Sequence, residues 1–247
     1  VVNLRPQAAD RKRAAAGKPD VWLAVETSTP SGSVAVWKDG LAFEQTLRIQ
    51  GTHSERLVPA IQHALAASET SPEQVTDFVV GSGPGSFTGV RLAASLAKGW
   101  VMARQTRLFA YPSLLAVAAG SGSKEPVCAL FDARRGEVYA ACYDVVSEIL
   151  NERLPPGAWR IPDLLAELSA RELEPAFAGE GAATYREAIR AAWPDAEILP
   201  EHLGVPRAAS LLWLRGEAPD MGRVDRPDAW EPVYVRDWRI PDDRGRP

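Results

Sequence analysis

The stretch VVGSGPGSFTGVRLAASLAKGW, residues 79–100, runs an apolar strand into a glycine-rich turn and on into a helix of small residues. Such a turn can hold a phosphate when backbone amides face an anion at the start of a helix. Two phosphate-loop patterns fail here. The lysine of G-x-x-x-x-G-K-[ST] is missing, and a dinucleotide fingerprint begun at Gly81 would need glycine where Ser86 stands. The amides of Gly83, Gly85 and Ser86 can still meet an anion at the helix start. Alternatively the glycines only permit a tight strand-to-helix turn, with Ser86 or Thr88 as its cap.

Two acids are the other candidates for acid–base or metal–nucleotide chemistry. Glu26 closes the apolar run Val21 to Val25, and Asp132 closes the run Val127 to Phe131. Surface hairpins also end in acids for reasons unrelated to catalysis. His53, His63 and His202 have no metal-ligand spacing, since a helical zinc pair needs histidines at i and i+4. No Gly-x-Ser-x-Gly elbow occurs, and Cys128 and Cys142 form neither a Cys-x-x-Cys pair nor a recognisable nucleophile context. These residues name no cofactor or metal, with Glu26, Gly83, Gly85, Ser86, Asp132 and Gly181 as the candidates for nucleotide contact.

The elements that must position these groups repeat. VWLAVETSTPSGSVAVWKDG reads as strand, acid, turn and strand (Val34 to Trp37), closed by Asp39-Gly40. VCALFDARRGEVYAACYD repeats the plan about a hundred residues later, with Gly136 in the turn and Val138 to Tyr143 as the second strand. Downstream, Gly81 and Gly83 correspond to Gly179 and Gly181, each pair lying between a short strand and a helix. Between hairpin and glycine turn each half carries a helix, marked by Leu57, Ile61 and Leu65 in the first and Leu164, Leu165 and Leu168 in the second. Duplication of an α/β unit explains the pattern, with chance similarity as the alternative. Two such lobes would set both hairpins and both glycine turns around one cleft, the arrangement of the actin, hexokinase and Hsp70 superfamily.

The chain has 247 residues, of which 46% are apolar, enough for a sizeable core. Its net charge of −4 gives no strong field toward nucleic acid or anionic membrane. No apolar run approaches the ~18 residues of a membrane span. Residues 1–20 are basic and poor in large apolar side chains, so a disordered extension is expected, with Arg11, Lys12 and Arg13 available to RNA or simply solvated. Two cysteines suit a reducing cytoplasm. The first lobe is expected over 21–110, the second over 111–205, and a C-terminal helix and tail packing back on the lobes over 206–247.

Two helices of the first lobe stand out. THSERLVPAIQHALAA opens with a Thr52-x-x-Glu55 capping box and carries Pro59 inside its periodic pattern. In the other, Gly89, Ala93 and Ala97 recur every four residues and make a smooth stripe. The stripe packs either on the protein's own sheet or against a helix of another chain.

AVETSTPSGSVAVWKDG, HSERLVPAIQHAL, GSGPGSFTGVRLAASLAKG, FDARRGEVYAACYD and EPVYVRD, in this order over residues 21–237, resemble the TsaB (YeaZ) family. GPGSFTGVR and DARRGEVY are the most specific of these. The resemblance implies an α/β fold of two ribonuclease-H-like lobes with a central cleft. It also implies a non-catalytic partner of the paralogue TsaD in forming threonylcarbamoyl on N6 of adenosine 37 in tRNAs that read ANN codons. TsaE, an ATPase, joins that complex, tRNA is met only through it, and a homodimer through the same surface is possible. The family's TsaD contact lies on first-lobe helices, which assigns Leu57, Ile61, Leu65, Gly89, Ala93 and Ala97 to the interface and favours a partner helix over the stripe. TsaD's His-x-x-x-His metal motif has no counterpart in LFAYPSLLAVAAG, and Glu26 stands where relatives often carry Asp. The alternative is an ATP-dependent kinase or phosphotransferase of the same superfamily, with Glu26 and Asp132 holding metal–nucleotide.

Overall fold

A computed structural model describes residues 2–3, 20–48, 53–146 and 149–235. Of the disordered basic extension expected over 1–20, residues 1 and 4–19 lie outside the described residues, as do the capping residue Thr52 and the last two residues of EPVYVRD, but Val2–Asn3 correct that expectation by forming a strand that pairs with Ile149 and Leu150.

Two sheets carry the chain. The first joins β2 (Val21–Glu26), β3 (Ser31–Lys38), β4 (Leu41–Arg48), β5 (Asp77–Gly81), β6 (Arg107–Tyr111) and β11 (Arg223–Val224) in the order β11-β6-β5-β2-β3-β4. The second joins β1 (Val2–Asn3), β7 (Val127–Arg134), β8 (Glu137–Val146), β9 (Ile149–Arg160) and β10 (Ala176–Ala178) in the order β1-β9-β8-β7-β10. In each, an antiparallel meander of three strands is flanked by a parallel strand: β5 beside β2, and β10 beside β7. The duplicated plan read from the two hairpins is therefore present as topology, and the fold is the expected pair of α/β lobes.

Side chains alternate across a strand, so a strand buried on both faces feeds two cores. Val21, Leu23 and Val25 of β2 face an outer core with α1 (His53–Ala67) and α2 (Phe87–Arg104). Ala24, between them, faces a central core, together with Ala35 and Val79. The second sheet divides likewise. Ala129 and Phe131 join the central core, while Cys128 and Leu130 face a third core built with α4 (Ile161–Ala170), α5 (Glu180–Thr184) and α6 (Arg186–Ala192).

The central core is filled by α3 (Ser113–Gly120) and α7 (Ala208–Glu217), giving five layers: helices, sheet, helices, sheet, helices. Alanines line much of both inner sheet faces, which lets the middle helices approach closely. Arg215 of α7 reaches through this layer to Asp77 at the start of β5, where Arg107 also pairs with the carboxylate. Its guanidinium lies 4.2 Å from the Phe109 ring centroid and 4.7 Å from that of Trp22. After α8 (Pro219–Gly222) and β11 the chain returns over α2 and bonds to the glycine turn through Val233 N–H and Ser82 C=O at 2.8 Å.

The six residues assigned to a partner interface require correction. Leu57, Ile61, Leu65, Ala93 and Ala97 are at most 5% exposed and belong to the outer core, and Gly89 is buried beside them. Both rows face the chain's own sheet. The outward faces of the same helices are different residues: Val58 is 47% exposed and Met102 73%. A Cβ on Gly99 would meet open space.

Candidate functional site

The two hairpin acids have opposite environments. Glu26, last in β2, is wholly buried. One carboxylate oxygen accepts from Ser28 N–H at 2.6 Å and the other from the Ser113 hydroxyl at 2.8 Å. Ser113 Oγ in turn accepts from Gly83 N–H at 3.2 Å, so Glu26 ties the first hairpin to the glycine turn and to the start of α3. A Cβ at position 81 would collide with the Glu26 carboxylate, which is why β5 ends in glycine. Burial raises the Glu26 pKa, and the hydrogen bonds from Ser28 and Ser113 offset only part of that shift.

Asp132 is exposed, and its Oδ1 accepts from Arg134 N–H at 2.9 Å across a turn. Arg134, Arg135 and Gly136 all take positive φ there, at 63°, 56° and 77°. The turn projects into an interlobe cleft of about 590 Å³, where Asp132, Arg134 and Glu180 face Ser28, Gly85 and Ser86. Burial, and then the Asp132 charge, raise the Glu180 pKa.

Of the candidate nucleotide-contact residues, Gly85, Ser86 and Asp132 line this cleft, and Glu26, Gly83 and Gly181 do not. Gly83 sits under Val90 and the Val233 carbonyl, and Gly181 packs on Leu130. Gly179, at φ 103°, is pressed between the Leu130 backbone and Gly204. Ser86 caps α2, accepting from Gly89 N–H at 3.3 Å, which favours the capping role for this turn. The expectation that the glycine turn meets a partner helix through the stripe is replaced by contact with the chain's own sheet.

Sequence reasoning missed Ser113 and Glu180. Ser113 follows Pro112 at a helix start, a signal for position but not for its bond to Glu26. Glu180 directly follows Gly179 of the second glycine turn. A larger hollow of about 700 Å³, rimmed by Glu125, Glu172, Glu174, Asp195 and Glu197, lies on the second lobe and contains no candidate residue.

Two lobes of one repeated plan, meeting at a cleft with a hairpin on each side, define the class as an α/β fold of two ribonuclease-H-like lobes of the actin, hexokinase and Hsp70 type. A family model described as "TsaD: tRNA N6-adenosine threonylcarbamoyltransferase" matches residues 48–225. The "tRNA threonylcarbamoyladenosine biosynthesis protein TsaB" of Bacillus subtilis is 30% identical over 169 residues, which are 68% of this chain and 74% of that protein. TsaB of Escherichia coli is 36% identical over 124 residues, 49% of this chain and 54% of that protein, so the match spans about half of that relative. The solved structure "YeaZ from Pseudomonas aeruginosa" superposes with a TM-score of 0.72 at 28% identity, over 87% of this chain and 99% of that one. The chain belongs to the TsaD-like family and, within it, to the TsaB (YeaZ) branch.

Proposed function

We propose that this chain acts in tRNA threonylcarbamoyladenosine biosynthesis as the non-catalytic partner of TsaD. The observation that carries this reading is the burial of Glu26 beneath its own lobe, out of reach of the cleft where Asp132 lies. A superfamily kinase would need both hairpin acids at one metal–nucleotide. The stretch Phe109–Ala119, which forms most of β6 and α3, is largely buried and contains no histidine, which also favours a subunit without its own transfer chemistry.

TsaD docks, in this reading, on the outward faces of α1 and α2, where Val58, Gly99 and Met102 offer exposed apolar surface and close approach. TsaE and tRNA join through TsaD in the cytoplasm, and a second copy of this chain competes for the same face.

Reconstitution tests the proposal. Threonylcarbamoyl transfer to tRNA should require TsaD, be stimulated by this chain, and be absent with this chain alone. Transfer without TsaD would sink it. Because Gly85, Ser86 and Asp132 do line the cleft, the kinase reading is tested separately by Mg-ATP titration. Stoichiometric micromolar binding by the isolated chain would support it.

A further inference from the structure

EPVYVRD is a motif that this function leaves unused. Its described residues, 231–235, run along α2 to the end of the interlobe cleft. Trp230 packs against the outer core just before them. Glu231 then pairs with Lys98 at 2.6 Å, and Arg91 Nε donates to the Tyr234 hydroxyl at 3.2 Å. The Arg91 guanidinium also lies 3.8 Å from the Phe87 ring centroid and 5.5 Å from that of Tyr234. Val233 N–H bonds to Ser82 C=O, so one backbone bond fastens the segment to the glycine turn. Val233 and Tyr234 meet Pro84 and Phe87 of the first lobe and Tyr139 of the second around a cavity of about 50 Å³. Gly85, Phe87 and Tyr139 line the main cleft as well, so the segment forms its end wall.

Most of these contacts lie at the surface. The Glu231 side chain is 69% exposed, and an exposed ion pair adds little to stability. Val233 and Tyr234 are 44% and 40% exposed and Pro232 between Glu231 and Val233 is buried, but the three cores that hold the sheets together contain none of residues 231–235. Segments with few buried apolar contacts open at free energies below that of global unfolding. We propose that residues 231–235 form a strap hinged at Trp230. It lifts while both sheets stay folded, extends the cleft along the first turn of α2, and uncovers the backbone at Ser82 and Gly83. The inference concerns the chain alone and stands whether or not TsaD is the partner.

Amide hydrogen exchange on the full chain tests it, with the Val233 amide as reporter. Val233 should exchange at least about tenfold faster than Val79 and Val80 in the centre of the first sheet. Lys98→Ala and Tyr234→Ala should each speed Val233 by a further factor of about five, with β5 exchange and melting temperature unchanged. A second readout is thiol labelling of a Val90→Cys variant, because Val90 is 2% exposed and borders the cavity under the strap. That thiol should label in the native protein at a rate that follows Val233 exchange. Val233 exchanging as slowly as β5, variants that speed β5 equally, or labelling only when the chain unfolds would each overturn the strap.

Discussion

Arg215 and Asp77, 138 positions apart in the chain, meet guanidinium to carboxylate at 2.9 Å in the interior, with side-chain exposures of 5% and 0%. The pair pins α7 to β5, the middle of the three parallel strands of the first sheet. Asp77→Ala would strand Arg215 as a buried charge and leave Arg107 without this partner. Removing one member of a buried pair costs about 3–5 kcal/mol. Urea denaturation of Asp77→Ala should show a loss of that size, and a change below about 0.5 kcal/mol would show that the pair is not held in the interior.

Glu26 carries a pH dependence with a definite sign. Burial raises its pKa in the folded chain, so the neutral form is the better fit. Its contribution to stability is complete below the ordinary glutamate value and is lost as pH rises through the folded pKa. In Glu26→Gln the amide oxygen still accepts from Ser28 N–H and the amide N–H can donate to Ser113 Oγ, without a charge to bury. Melting temperatures of variant and wild type should lie close at pH 4 and separate in favour of the variant toward pH 8. A difference that does not change with pH would contradict this.

The two faces of α2 should respond differently to a charge. Ala93→Glu buries a carboxylate with no counter-ion in the outer core, and the chain should fail to fold or melt far lower. Gly99→Glu and Met102→Glu change exposed positions and should keep the melting temperature. If the proposed docking face is right, they should weaken association with TsaD by about tenfold or more. Unchanged association in both would move the interface off this helix.

Cys128 and Cys142 face each other across β7 and β8, and both are buried. Burial pushes the Cys142 thiol up to about 12 and Cys128 well above its usual value. Only the thiolate reacts readily. A disulfide reagent at pH 8 should therefore label neither in the native chain and both in denaturant. Native labelling of either would show that the third core opens.

The hairpins, glycine turns and amphipathic helices were legible because each is a local pattern: alternation, a turn residue, or apolar positions at helical spacing. What those patterns face was not. The stripe Gly89, Ala93, Ala97 has one appearance whether it meets a foreign helix or the home sheet, and here it meets the sheet. Glu26 and Asp132 occupy matching places in the repeat, but Ser113 of α3 closes over one and solvent reaches the other. Such differences arise from segments distant in sequence, so no reading of either hairpin alone could separate the two acids. The resemblance to relatives supplied the family and could not supply the orientation of a helix face.

Of the two helices between the sheets, Ala208–Glu217 is the one packed on the first sheet, and it reaches the ribosome exit long after the strands it covers. At about 5–20 residues per second, the inner face formed by Ala24, Ala35, Val79 and Phe109 waits on the order of ten seconds for its lid. The first half of the repeat therefore completes its inner face with residues from the far end of the chain, so the two halves are separable in topology but not in packing.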